Sequence, residues 1–400
     1  MNKIALAVAA AFAASLTISG GALAQEKTVV IAPFGVKTGV LRLFGINSEA
    51  AVKSAVEEVN KSGGVKLADG SKAKMVAAEY LDDRCNAEEG IAVVRRMVGS
   101  DALIAVGPTC SNVAEPLYGI LQKKVDDAKD TGLQFPILTD VAIKVGLAKI
   151  SEWSFRNVPN ELTMYSSLYY WLKTTRPELK TVYGGVEEDF AHSRASWHVV
   201  MKDRANANGY QVLGESKWLL NDTNFSTQVR EIKKANPDIL SIAAHPFTTC
   251  GLLKEMQRQG VKPKLVVGLT STSSLETMQA CPKQAEGMII PSSFAPVNKE
   301  AKYAAEQTAK QKGAADLHSM AAWENVFIIK EAMERAGLSG RKDAASIQAD
   351  RRKLRDALAA TKTTKGLLGV NKRTEDREAD KPYVFVHGKG GAWHVLHNPL

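Results

Sequence analysis

Apolar and polar positions alternate along this chain with two periods. "KTVVIAPFG" (27–35) is a short apolar run closed by a Pro and a Gly. "GINSEAAVKSAVEEVNKSGG" (45–64) follows, with Val52, Val56 and Val59 at helical spacing and Gly63-Gly64 as a stop. "KMVAAEYLDD" predicts a second strand. "NAEEGIAVVRRMVG" predicts a second helix, with Asn86 as N-cap and Glu89 closing a capping box. "ALIAVG" is a third strand, "SNVAEPLYGILQKK" a third helix and "FPILTD" a fourth strand. Regular strand–helix alternation predicts a parallel sheet covered on both faces.

A second series begins near Asn160. The helices "ELTMYSSLYYWLKTT", "SRASWHVVMKDRANANG", "STQVREIKKANP" and "TTCGLLKEMQRQG" alternate with the strands "KTVYGGV", "YQVLGESKW", "DILSIAA" and "KLVVGL". Two such series predict two α/β lobes. "GMIIPSS" adds a strand, helices follow at 299–313, 318–337 and 344–360, and the tail predicts a hairpin around Gly388–Gly391. Trp393 and the other tail aromatics are read as packing residues.

The first 24 residues break this pattern. Lys3 precedes an apolar stretch from Ile4 to about Ile18, and Ala22-Leu23-Ala24 has the small-x-small form of a cleavage site. We expect a signal peptide cut after Ala24 and a soluble exported protein. Without Lys3 the formal charge of +9 becomes +8. The basic residues are scattered, which gives no footprint for nucleic acid and only a mild bias toward anionic ligands. Export makes disulfides possible. Cys85, Cys110, Cys250 and Cys281 allow three pairings, and gaps of 25 and 31 residues suggest sequential pairs, one per lobe. Zinc is the rival, without CxxC or HxxxH spacing to support it; neither metal nor cofactor is expected.

In open parallel sheets ligands bind off the C-terminal strand ends. Here those ends fall at 34–44, 82–85, 107–111, 139–144, 187–191, 245–250 and 269–274, and in facing lobes they would meet across a cleft. Ser111 is expected to cap a helix whose free N–H groups and dipole favour an anion, or to be a plain cap. Thr139 and Asp140 carry the same ambiguity as turn residues. His192, His198 and His245 lack an adjacent nucleophile pattern, and GxSxG, Walker and HExxH motifs are absent, so no enzyme is expected. The triplets at Asn221 and Asn224 are read as a polar loop.

"LDDRC" (81–85) with "VGPTCS" (106–111), "FRNVPNE" (155–161) and "LLKEMQRQGVKPKLVVG" (252–268) resemble the periplasmic leucine/isoleucine/valine-binding proteins of ABC importers, over nearly the whole mature chain. The resemblance implies the type I periplasmic binding protein fold: α/β, two doubly wound parallel-sheet lobes joined by three hinge crossovers. Lobe 1 would comprise 25–156 and 292–371, and lobe 2 157–291 and 372–400, with hinges near Asn157, Pro291 and Lys372. It implies a disulfide between Cys85 and Cys110. It places ligand contacts at Ser111, beside Cys110, and at Thr139, Ala142 and Phe190, with another near His245.

Where the family carries an acid for the ligand ammonium, this chain has Thr270. Thr offers a hydroxyl and no charge. We therefore expect a small carboxylate without a free α-amine, beside Phe44, Phe190 and Thr270, with Arg42 and Arg84 as possible carboxylate partners and Asp140 as a possible stand-in acid. The resemblance implies a monomeric carrier that closes over its ligand and delivers it to an importer permease. The alternative is a sensor presenting the solute to a receptor.

Overall fold

A computed structural model describes residues 26–399; the expected signal peptide and its cleavage site lie outside them. Two seven-stranded sheets form the frame. The first holds β1 (Thr28–Gly35), β2 (Val65–Lys66), β3 (Lys72–Ala77), β4 (Leu81–Asp82), β5 (Ala102–Val106), β6 (Ile137–Thr139) and β7 (Ser154–Arg156). Its order is β2-β3-β1-β5-β6-β7, with β4 also paired to β1. The second holds β8 (Thr181–Glu187), β9 (Gln211–Trp218), β10 (Ile239–Ala243), β11 (Leu265–Gly268) and β12 (Ile289–Ser292). A small antiparallel sheet of β13 (Thr363–Lys365), β14 (Val370–Arg373) and β15 (Ala379–Asp380) precedes the last two strands, β16 (Val384–Lys389) and β17 (Ala392–His397). The second sheet runs β17-β16-β12-β11-β10-β8-β9, with the final hairpin antiparallel on its edge.

Helices cover both sheets. In lobe 1 they are α1 (Arg42–Lys61), α2 (Ala87–Val98) and α3 (Ser111–Gly119). In lobe 2 they are α4 (Glu161–Thr175), α5 (Ala191–Ala195), which runs through a π-helical turn into α6 (Lys202–Ala207), then α7 (Ser226–Ala235), α8 (Pro246–Gln259) and α9 (Leu275–Ala280). The chain then returns to lobe 1 as α10 (Lys299–Lys310), α11 (Leu317–Ala336) and α12 (Ala344–Ala359). Val52, Val56 and Val59, the stripe expected on α1, lie in the lobe 1 core with Ile329 and Met333 of α11.

Several local expectations shift. The predicted second strand divides into β3 and β4. The third helix stops at Gly119 instead of reaching Lys124; Pro116 lies within its last turn and cannot donate to the helical ladder. Asn86 caps α2 by accepting from the N–H groups of Glu88 and Glu89. Its own N–H goes to the Asp83 carbonyl, so the reciprocal arm of a capping box does not form. The boundary expected at 371/372 falls inside β14, and the chain joins the second sheet at Val384.

The chain passes between the sheets three times: after Arg156, after Ser292 and after Asp380. Glu324 of α11 gathers two of these passages. Its carboxylate accepts from Asn157 Nδ2 (2.9 Å), Lys381 Nζ (2.5 Å), Asn371 Nδ2 (3.3 Å) and the N–H of Leu367 (2.7 Å). All four of Asn157, Glu324, Asn371 and Lys381 are buried. A charge taken out of water needs this number of partners.

Both expected disulfides are present, Cys85–Cys110 in lobe 1 and Cys250–Cys281 in lobe 2, each with Cα atoms 5.5 Å apart. The second ties the start of α8 to the end of α9, closing a 31-residue separation. Replacing both Cys250 and Cys281 by Ala should lower unfolding stability by about 2–4 kcal/mol in a urea titration. An unchanged midpoint would show that packing alone holds this segment.

Candidate functional site

The C-terminal strand edges of the two sheets face each other, and helices begin where those strands end. Five helix starts converge on one narrow cavity: Leu41 and Phe44 at α1, Cys110 and Ser111 at α3, Phe190 and His192 at α5, His245 at α8 and His318 at α11. Thr109, Val141, Ile143 and Ser271 complete the lining. Each start presents backbone N–H groups and the positive end of a dipole. The lobes are closed on one another: the cavity measures only about 10 Å³, barely room for one water. A groove of about 970 Å³ between α10 and α11 is larger, but none of the predicted residues lies in it.

Lobe 1 supplies the anion-suited wall. Cys110 is the N-cap of α3, with extended backbone and no side-chain cap bond, and Ser111 is the first helical residue. Ser111 is therefore not the cap expected from the sequence. Its Oγ accepts the N–H of Lys144 (3.2 Å), which leaves its own proton to donate. Cys110 is placed by its bond to Cys85, which fixes this loop against the strand end of β4.

Lobe 2 supplies two buried carboxylate–imidazole pairs. Glu187, at the end of β8, accepts from His245 Nδ1 (2.6 Å), the His245 N–H (3.0 Å), Ser193 Oγ (3.0 Å) and the Thr248 hydroxyl. Glu161, at the start of α4, meets His192 Nε2 (3.0 Å) and accepts from Ser196 Oγ (2.5 Å) and Thr270 Oγ1 (2.5 Å). Burial opposes ionising both acids, but the imidazoles and hydroxyls outweigh it and hold both below the usual carboxylate range. Burial holds His192 below its ordinary value. The third histidine, His318, lies across the cleft, with Nε2 3.3 Å from Ser271 Oγ and its ring centre 4.4 Å from that of Phe44. Phe190 meets His245 edge-on at 4.4 Å.

The predicted residues divide accordingly. Phe44, Cys110, Ser111, Phe190 and His245 line the cavity together. Thr139 and Ala142 are buried beside it, outside the lining. The Thr139 hydroxyl is taken by Tyr118. Thr270 is fully buried and gives its proton to Glu161, so an acid does stand at this strand end, already holding three protein donors. Asp140 is buried and outside the cavity lining. Arg42 and Arg84 are exposed and outside the cavity. Arg42 bonds Gly39, and Arg84 occupies a left-handed turn at φ 53°. The sequence reading missed Glu161, Glu187, Ser271 and His318, and passed over His192. A His or Glu at a strand end or helix start is a usable signal, but their pairing across 31 and 58 positions is not.

In and below the lobe 1 wall, Ser48, Tyr80, Asp83, Thr109 and Asp140 are buried, and each has a side-chain oxygen without a well-formed partner. Burial pushes the Asp83 and Asp140 carboxyls each up to about 7.

Across the cleft, Asn112 of α3 accepts the Ala191 N–H at 2.7 Å and donates to the Asp189 carbonyl at 3.4 Å, joining the first turns of α3 and α5.

Comparison with known proteins fits this geometry. Residues 28–392 match the family model described as periplasmic binding protein, and the chain belongs to that family. A Leu/Ile/Val-binding protein homolog of Brucella melitensis is 25% identical over 332 residues, 82% of this chain and 83% of that protein. A leucine-binding protein of Thermotoga maritima superposes with a TM-score of 0.77 at 17% identity, covering 93% of this chain and 99% of that one. An ABC transporter solute-binding protein of Rhodopseudomonas palustris, solved with benzoate, gives a TM-score of 0.75 at 15% identity, with coverage of 93% and 96%. The fold is thus the type I periplasmic binding protein fold expected from the sequence.

The raised Asp140 makes a signed prediction. A carboxyl whose folded pKa lies above its unfolded value costs stability progressively as pH rises from about 4 to about 7. Asp140→Asn should therefore raise the melting temperature relative to wild type near neutrality, with the advantage shrinking toward pH 4. A difference independent of pH in thermal scans would contradict the assignment.

Proposed function

We propose that this protein is a non-enzymatic periplasmic carrier that captures a small carboxylate between its lobes and delivers it to an ABC importer permease. The observation that carries this reading is the uncapped start of α3, with a free Ser111 proton, at the meeting point of five helix N-termini. A carboxylate there gains a charge-assisted hydrogen bond and the field of aligned dipoles. Leu41, Phe44, Val141, Ile143 and Phe190 offer an apolar body its contacts. Benzoate in the Rhodopseudomonas relative is a ligand of this kind.

An α-amino acid is the second reading, favoured by the Leu/Ile/Val-binding relative. Its ammonium needs an acid at the second wall. Glu161 is close to that role, but its oxygens already hold His192, Ser196 and Thr270. We therefore place the carboxylate without an α-ammonium first.

Transport follows from the closed cleft. A cavity this small cannot be entered, so the lobes must part about the three passages to admit a solute. A ligand bridging both walls then favours closure, and closure is the signal a permease reads. We take the working form to be an exported monomer, with the first 24 residues removed.

Thermal-shift screening against leucine, isoleucine, aromatic acids and aliphatic acids should give the largest rise for an acid lacking an α-amine. A response to leucine alone would return the reading to amino acids. For the acid that binds, Ser111→Ala should weaken affinity by about 1–2 kcal/mol in calorimetry; unchanged affinity would reduce Ser111 to a packing residue. Asn112→Ala should speed ligand release in stopped-flow measurements by roughly three- to tenfold, because it removes hydrogen bonds that cross the cleft. Equal release rates would show that Asn112 does not hold the lobes together.

A further inference from the structure

Most of the seven histidines are already engaged. His192 and His245 pair with buried acids, and His318 meets Ser271 and Phe44. His198 stands between Glu188 at 3.3 Å and Glu215 at 3.9 Å, and His397 stacks on Trp171 at 5.3 Å. His387 and His394 remain, both on the final hairpin. Their rings meet each other, and among the described residues neither imidazole has a hydrogen bond or an ion pair.

The register of β16 and β17 sets His387 directly opposite His394. Directly opposed residues of an antiparallel pair point to the same face. The two ring centres are 6.4 Å apart. An ion bonded at about 2.0 Å to one nitrogen of each ring would hold those centres roughly 5–6 Å apart, so a small turn about the side-chain bonds brings both rings to one ion. His394 is exposed and His387 half-buried, which leaves the pair open to water. The backbone beneath them is fixed. β16 pairs with β12 on its inner side, the Gly388 N–H donates to the Met288 carbonyl at 3.0 Å, and Trp393 Nε1 donates to the Ser274 carbonyl at 2.9 Å. Two ligands held on a rigid scaffold lose little freedom when an ion joins them.

We propose that His387 and His394 form a two-imidazole site for a divalent transition-metal ion, with water in the remaining coordination positions. The protein supplies only two ligands because no three metal-binding side chains come together among the described residues. Imidazole nitrogen selects Cu2+, Ni2+ and Zn2+ over Ca2+ and Mg2+, which want oxygen, and Cu2+ heads the affinity order. Lys389, on the same face one rung nearer the turn, opposes a dication; the Glu286 carboxylate, which accepts the Gly390 N–H at 2.9 Å, favours it. Both histidines lie outside the cavity lining, so the site does not depend on which solute the cleft takes.

The test is calorimetry on tag-free mature protein with Cu2+, Zn2+ and Mg2+ near neutral pH, where imidazole is free to bind metal. A single Cu2+ should bind about tenfold or more tighter than Zn2+, and Mg2+ should give no signal. Pulsed EPR of the Cu2+ complex should show both imidazoles bound to the ion. His387→Ala and His394→Ala should each weaken Cu2+ binding by about tenfold or more, because the second ligand of a chelate binds at high effective concentration. His198→Ala should leave the affinity unchanged. A Cu2+ spectrum with a single imidazole, or an affinity that His394→Ala does not change, overturns the proposal. So does the absence of Cu2+ binding. His394 is exposed and the imidazole count needs no variant, so a poorly folded His387→Ala does not remove the test.

Discussion

Two parallel sheets aiming their C-terminal edges at one another is the constraint on which the rest depends. A parallel strand must be followed by a crossover, and here most crossovers are helices that start at the sheet edge. Facing two such sheets therefore collects helix N-termini, and with them unpaired N–H groups and positive dipole ends, in one place. The chain adds side chains to that frame at the first positions of each helix: Phe44, Ser111, Phe190, His192, His245 and His318. All but His318, whose helix follows another helix, come soon after a strand end, and with Leu41, Thr109, Cys110, Val141, Ile143 and Ser271 they make the cavity wall.

A cavity made only of helix starts would hold any small anion. Behind the helix starts of lobe 2 stand two buried acids. Glu161 and Glu187 each hold one ring nitrogen of His192 and His245, and both carboxylates lie buried behind the lobe 2 wall. These carboxylates are held from behind by Ser193, Ser196, Thr248 and Thr270, residues outside the cavity lining. Thr270 shows the logic. At the strand end where relatives were expected to place an acid, this chain places a hydroxyl that serves an acid from a different element.

Much of the frame was legible in the sequence because it is written in local pattern. The Val52–Val56–Val59 stripe, the Asn86 cap and the apolar strand runs each specify an element without knowledge of the others, and the cysteine spacing was read as the pairs the fold contains. The small sheet of β13, β14 and β15 was missed, since strands of two to four residues such as Ala379–Asp380 carry no period. The site was legible only as far as its strand ends. Ser111, Phe190 and His245 stand at positions that topology alone marks. Arg42 and Arg84 stand there too, yet both turn to solvent, because being near a strand end does not fix which way a side chain points. Glu161 and His318 belong to helices whose starts come together only when both lobes are assembled.

The distribution of polar contacts separates the part that turns from the part that must hold. Around Glu324 a buried carboxylate takes four donors, Asn157 and Lys381 of the first and third passages among them, and Arg156, also buried, pairs with Glu378 at 2.6 Å. Breaking one partner of such a buried pair costs several kcal/mol, so this network resists separation of the passages themselves. Across the cleft the polar links are sparse: Asn112 to Ala191 and Asp189, and His318 to Ser271. Each is worth about 1 kcal/mol, and water would replace it on opening. Closure without ligand therefore rests on a few weak bonds and the apolar contact of Phe190 with the lobe 1 wall. That places the open and closed states within reach of each other, so the affinity of a ligand that bridges both walls is enough to decide between them.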